Sequence, residues 1–182
     1  GVKGVAASGL TWDVSASVGE NVSEYFIKNT VNASLGPDTP TEFYPGNYVQ
    51  LEKNFNIDLT KPVPVSSFAS DLSIAFGFEF REEQFTVVSG NKESWEIGPY
   101  FKQGFGIGSN GFGGFSPMMA GTWDRSNIAL YLDMEADVTE NLLLGLASRC
   151  EDFDTFGSTF NRKISFLLKA SDVLSIRGTA ST

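Results

Sequence analysis

Along residues 127–137 the even positions carry Ile128, Leu130, Leu132, Met134 and Ala136. The odd positions carry Asn127, Ala129, Tyr131, Asp133, Glu135 and Asp137. Successive side chains of a β-strand point to opposite faces, so this spacing predicts one strand with an oily face and an acidic face. A helix would mix the two classes on every side. The same period of two recurs. Apolar residues alternate with polar ones over 10–18 (Leu10 to Val18), 24–35 (Tyr25 to Leu35), 49–59 (Val49 to Leu59), 72–81 (Leu72 to Phe80), 163–169 (Ile164 to Leu168) and 174–180 (Leu174 to Ala180). Over 142–153 the run Leu142, Leu143, Leu144 blurs the alternation, and Arg149 and Glu151 restore it. The pattern therefore predicts an all-β chain of about eight strands, most near or above ten residues. Strands of ordinary globular sheets are roughly half that long.

The connections predict how those strands are joined. Short turns are expected at Gly19-Glu20-Asn21, at 137–141 and at Ala170-Ser171-Asp172, with a Pro/Ser link over 62–70. Longer links are expected over 36–47 and from Gly90 to about Asp124. In an antiparallel up-and-down meander the short turns gather at one end and the long links at the other, and only the short link 154–158 departs from this. The largest link holds Gly104-Phe105-Gly106-Ile107-Gly108 and Gly111-Phe112-Gly113-Gly114-Phe115, too rich in glycine for a regular element. Its Phe residues argue that it folds back onto something apolar. No linker divides residues 1–182, which read as a single segment.

Composition narrows the function. Of 182 residues 41% are hydrophobic and 16 are Phe, as expected of an ordered β protein. The net charge of −9 speaks against nucleic acid as a partner, because phosphate binding needs clustered Lys and Arg and the densest cationic stretch is the pair Arg162-Lys163. The single cysteine, Cys150, excludes an internal disulfide, and without any histidine it has no base to activate it. The opening Gly1-Val2-Lys3-Gly4 does not read as a signal peptide, and no apolar run is long enough for a transmembrane helix.

Other motifs have plain structural readings. Gly104–Gly108 lacks the helix that a phosphate-binding glycine loop precedes. Glu79, Arg81, Glu82 and Glu83, and likewise Arg149, Glu151 and Asp152, read as an Arg–Glu ladder on a wet face in preference to a general acid–base pair. Asp133, Glu135 and Asp137 share a face that could receive a hard cation. Lacking a compact loop, they read as a solvated face neutralised from a neighbouring strand. Asn21-Val22-Ser23 and Asn32-Ala33-Ser34 fit a glycosylation pattern that carries no meaning in a bacterial protein. No catalytic residue, metal site or cofactor is expected, and the chain does not read as an enzyme.

Three strings carry a family resemblance. They are Asn29 to Phe43; Ala75-Phe76-Gly77-Phe78-Glu79-Phe80-Arg81-Glu82-Glu83; and Arg149 to Ser158, running on through Lys163-Ile164-Ser165-Phe166 to Thr182. In order and spacing they resemble the barrel of TonB-dependent outer-membrane receptors, the second being similar to the family's A-x-G-x-E-x-R-x-E strand. The resemblance covers most of the chain. It implies part of a transmembrane β-barrel in the bacterial outer membrane, with lipid as one partner and TonB as another through a plug region that no part of this sequence matches. It also implies uptake of a scarce small molecule or chelate, of the siderophore, cobalamin or carbohydrate class. In the family a Gly-Phe-Arg-Ala-Pro stretch tends to follow, so the chain is expected to stop in mid-strand, as a fragment. Substrate contacts in the family come from plug apices and outer loops, which makes the loop aromatics Trp95, Tyr100, Phe101, Phe112 and Phe115 the candidate substrate-binding residues.

The alternation itself permits two arrangements. In a membrane barrel the oily face looks out to lipid. In a soluble lipocalin-like barrel it turns inward around a small apolar ligand, and eight strands suffice to close one. Closure on itself would bury Phe76, Leu130, Leu132 and Ile176 together.

Overall fold

The computed structural model describes residues 1–171 and 173–182, so Asp172, at the end of the expected Ala170–Asp172 turn, lies outside the described residues. The chain is all-β. Eight strands form one antiparallel sheet in the order of the sequence: β1 (Val2–Val5), β2 (Thr11–Lys28), β3 (Glu42–Val63), β4 (Leu72–Ser89), β5 (Gly121–Thr139), β6 (Leu142–Phe153), β7 (Gly157–Ser171) and β8 (Leu174–Ser181). The sheet is open, with β1 and β8 as its edges. Of the two arrangements the alternation permitted, closure of these strands on themselves is not the one formed.

The expected count of eight is met by different strands at the start. Residues 10–18 and the first part of 24–35 are not two strands joined by a turn at Gly19-Glu20-Asn21 but the single strand β2. Gly19 has none of the positive φ a tight turn would need; the strand gives way at Asn29, whose φ is 56°. The apolar positions of β2 change phase along its length, even up to Val18 and odd from Tyr25. That phase change mimics a turn. The remainder of the expected strand, 33–38, is a 3₁₀ segment. The eighth strand is β1, too short to show a period. It pairs with β2 from Val2 opposite Val14 to Val5 opposite Thr11. The strands β3 and β5 also begin earlier than expected, at Glu42 and Gly121.

The chain divides into two compact units. One comprises Gly1–Val18, Lys53–Glu82 and Arg125–Thr182; the other comprises Gly19–Glu52 and Glu83–Asp124.

In the first unit, register fixes which residues share a face. Leu130 stands opposite Cys150, Met134 opposite Leu146 and Ala136 opposite Leu144. Leu142, Leu144 and Leu146 stand opposite Leu168, Phe166 and Ile164, and Leu168 opposite Ile176. These residues make one apolar face across four strands, and it is uncovered: Leu130 is 59% exposed and Ile176 49%, with Phe76 at 41% and Leu132 at 38%. Along β5 the apolar row from Ile128 to Ala136 runs about 27 Å at ~3.4 Å per residue.

The opposite face is polar and internally bonded. Arg149 Nη2 donates to Glu79 Oε1 and Glu151 Oε1, both at 2.9 Å. Arg81 lies 3.1 Å from the same Glu79 oxygen and donates through Nε to Asn54 Oδ1. The Tyr131 hydroxyl donates to Asp58 at 2.6 Å, and the Asn127 amide to Glu151. This is the Arg–Glu ladder read from the charge pattern. Asp133 and Glu135 face Ala147 and Gly145 on β6, so the neutralising cation expected from a neighbouring strand is not supplied on that side.

Candidate functional site

The second unit contains two long links, 29–41 and 90–120, and its geometry begins at Asn32. This residue is fully buried at the N-cap of the 3₁₀ segment Ala33–Asp38. Its Oδ1 accepts from Ser34 N at 3.2 Å and Ser34 Oγ at 2.7 Å, the local bonding that favours Asn at a cap. Its Nδ2 reaches across to the other link and donates to the carbonyls of Glu93 (2.9 Å) and Glu96 (3.0 Å). Ser34 Oγ in turn accepts from Gly98 N at 2.9 Å. Gly98 lies so close to the Ser34 backbone that a Cβ there has no room. A buried amide with both ends satisfied is the condition under which such a group can be buried at all.

The long link is tied in a second place. Asn91 exchanges bonds with the Tyr44 backbone: its N donates to Tyr44 O at 2.8 Å, and its Oδ1 accepts from Tyr44 N at 2.9 Å. Ser94, also fully buried, donates through Oγ to Asn91 O at 2.6 Å, and its carbonyl accepts from the amides of Ser109 and Gly114. The Glu93 carboxylate accepts from the Asn91 side chain at 2.8 Å. Its own backbone N–H, then Asn91, then the neighbouring Lys92 hold its pKa below the ordinary 4.5.

These ties carry Phe115 inward. Its N–H donates to Pro45 O and its carbonyl accepts from Gly90 N, leaving the ring 5% exposed. It packs on Tyr48 (ring centres 4.7 Å apart), Phe112 (5.5 Å) and Tyr25 (6.3 Å). Tyr25 stacks on Phe112 at 4.8 Å and Tyr48 on Phe85 at 5.3 Å. Gly46, at φ 117°, lets the β3 backbone pass beside the Phe115 ring.

The five expected loop aromatics are thus divided. Phe112 and Phe115 come together in one cluster. Trp95 is turned to its own link, donating through Nε1 to Gly90 O at 3.3 Å. Tyr100 packs against Gly36 and edge-on to Phe105, and Phe101 is exposed. Tyr25, Tyr48 and Phe85 join the cluster unforeseen, as do the clamps Asn32, Ser34 and Ser94. The legible signal was the Asn-x-Ser at 32–34, a cap pattern as much as a glycosylation pattern. Phe112 and Tyr25 remain partly exposed, so the cluster offers ring surface for a flat apolar or sugar face and no acid–base pair.

Among the described residues no three His, Cys, Asp or Glu gather to hold a metal ion, and no helix is long and apolar enough to cross a membrane. The sequence matches no model of a known protein family and no curated protein.

Proposed function

We propose that this chain is part of the wall of an outer-membrane β-barrel of the TonB-dependent receptor kind, serving energised uptake of a scarce solute such as a siderophore, cobalamin or carbohydrate. The observation that supports it is the uncovered apolar face of β5–β8, backed by a bonded, charged face on the same strands. Each Leu, Ile or Phe of that face loses about 1.5–3 kcal/mol by standing in water in place of an apolar medium. Soluble monomers rarely expose contiguous apolar patches beyond a few hundred Å². A bilayer supplies the cover, and the row of about 27 Å from Ile128 to Ala136 suits the apolar band of a membrane barrel. Strands of 18–22 residues, as in β2, β3 and β4, exceed the 9–11 that a crossing needs. The aromatic cluster and the link 90–120 are then the part that faces the solute.

Two measurements on cells that make the protein test the reading. Envelope fractionation should find the chain in the outer membrane. Deleting its coding sequence should abolish accumulation of one such solute only while the inner membrane is energised. Recovery from the soluble fraction, or uptake indifferent to the deletion for every solute class named, would sink it.

A further inference from the structure

One charge is out of place on the apolar face. Register sets Arg162 of β7 opposite Ser148 of β6, between Phe160 and Ile164, which stand on either side of it on the same face. The Arg162 guanidinium carbon lies 4.5 Å from the centre of the Phe160 ring, a cation–π stack that draws the charge away from Ile164 and toward the 154–156 link. No carboxylate pairs with it among the described residues. On β6 the acid of this face is Asp152, two rows off, and it already accepts from Ser158 Oγ at 2.7 Å. The Ser148 hydroxyl has no partner either. Beside the pair runs a shallow groove of about 230 Å³ bordered by Leu132, Met134, Leu146 and Ile164.

An unpaired guanidinium in an apolar surface calls for an anion, and its planar fork matches phosphate oxygens. An apolar groove leading away from it calls for a hydrocarbon chain. We infer that Arg162 and Ser148 hold the phosphate of a membrane lipid whose acyl chain lies along the groove of Leu132, Met134, Leu146 and Ile164. This rests on the barrel reading and adds a lipid site to it. Three apolar rows, Ile164, Phe166 and Leu168, continue from Arg162 toward the short-turn end, so the charge stands near one limit of the oily band. That is where headgroups lie, and Phe160 takes the place of an interfacial ring.

Cys150 makes the test direct. It is the chain's one cysteine, it is exposed, and it stands opposite Phe160 on the same face. The full chain, labelled there with bimane, would be placed in vesicles containing dibrominated phosphatidylglycerol or dibrominated phosphatidylcholine at equal mole fraction and salt. Quenching should favour phosphatidylglycerol about fivefold, the effect of one basic group near a lipid surface. Arg162→Gln should bring the ratio to about one, and Arg162→Lys, which keeps the charge without the fork, should leave it between the two. A ratio unchanged in Arg162→Gln overturns the lipid site and leaves the barrel standing. Loss of the preference on adding inorganic phosphate to the wild-type chain also overturns it, since the site then takes free anions. Quenching by aqueous iodide and by neither lipid overturns the barrel reading itself.

Discussion

The strands β6–β8 and the linked loops of the second unit solve the problem of staying folded in opposite ways. Across β6–β8 the backbone ladder is regular, no large apolar side chain is buried, and leucines and isoleucines stand open. In the loops the ladder is absent. There Phe43 and Phe115 are buried, and Asn32, Ser34 and Ser94 are buried with their polar atoms bonded. One region gains its order from main-chain hydrogen bonds and leaves its oily surface for another medium to cover. The other gains it from side-chain packing and polar clamps, as a water-soluble core does. The contrast teaches that one chain can be membrane-like in its wall and globule-like in its loops.

Substitutions can break that contrast from either side. The largest effect is expected from Phe115→Ala, which empties the middle of the aromatic cluster. Loss of a buried Phe should weaken the loops by about 3–5 kcal/mol, seen as rapid proteolysis within 90–120 while amide exchange in β6–β8 is unchanged. Leu130→Arg acts on the other region. It should leave the chain folded in detergent and cost about 2–4 kcal/mol on transfer into bilayers, measured by partitioning between the two. An equal loss in detergent would mean that Leu130 packs on protein. Asn32→Ala comes next: it strips partners from the Glu93 and Glu96 carbonyls and should loosen the loops by about 1–3 kcal/mol, read by amide exchange over 92–98. The smallest effect belongs to Glu93. Its carboxyl is held below 4.5 in the folded loop, so its contribution is complete above the unfolded value and fades as pH falls through the folded one. Exchange over 92–98 should quicken on acidification below pH 4.5 in the native chain, and Glu93→Gln should lose that acid-dependent part.

The wall was legible in the sequence because a strand with one oily and one polar face writes its period plainly. Residues 127–137 and 163–169 are read without error for that reason. The reading failed where a strand changes which face is oily. In β2 the even positions are apolar up to Val18, and then Tyr25, at an odd position, turns to Phe112 and Phe115. A local rule takes such a change of partner for a turn. The loops were legible only in outline. Glycine density marked 90–120 as irregular, and its Phe residues marked it as folded inward. Which ring goes in was decided elsewhere, by Phe115 bonding to Pro45 and Gly90, and by a carbonyl that Asn32 reaches across 61 residues. Contacts of that separation leave no period behind. The closed alternative likewise depended on whether distant edges meet, which alternation does not encode.

The order of strands in the sheet bears on how fast the chain can assemble. Every strand pairs only with its neighbours in sequence, so each hairpin can form as soon as its two arms exist, with little entropy lost to closing long loops. The β6–β7 and β7–β8 hairpins, with links of a few residues, can form first and serve as the template on which longer arms align. The Asn32 clamp needs β3 and β4 in place before its two links meet. On that ordering the globule-like part of the molecule is the last to set, after the wall beside which its chain must fold.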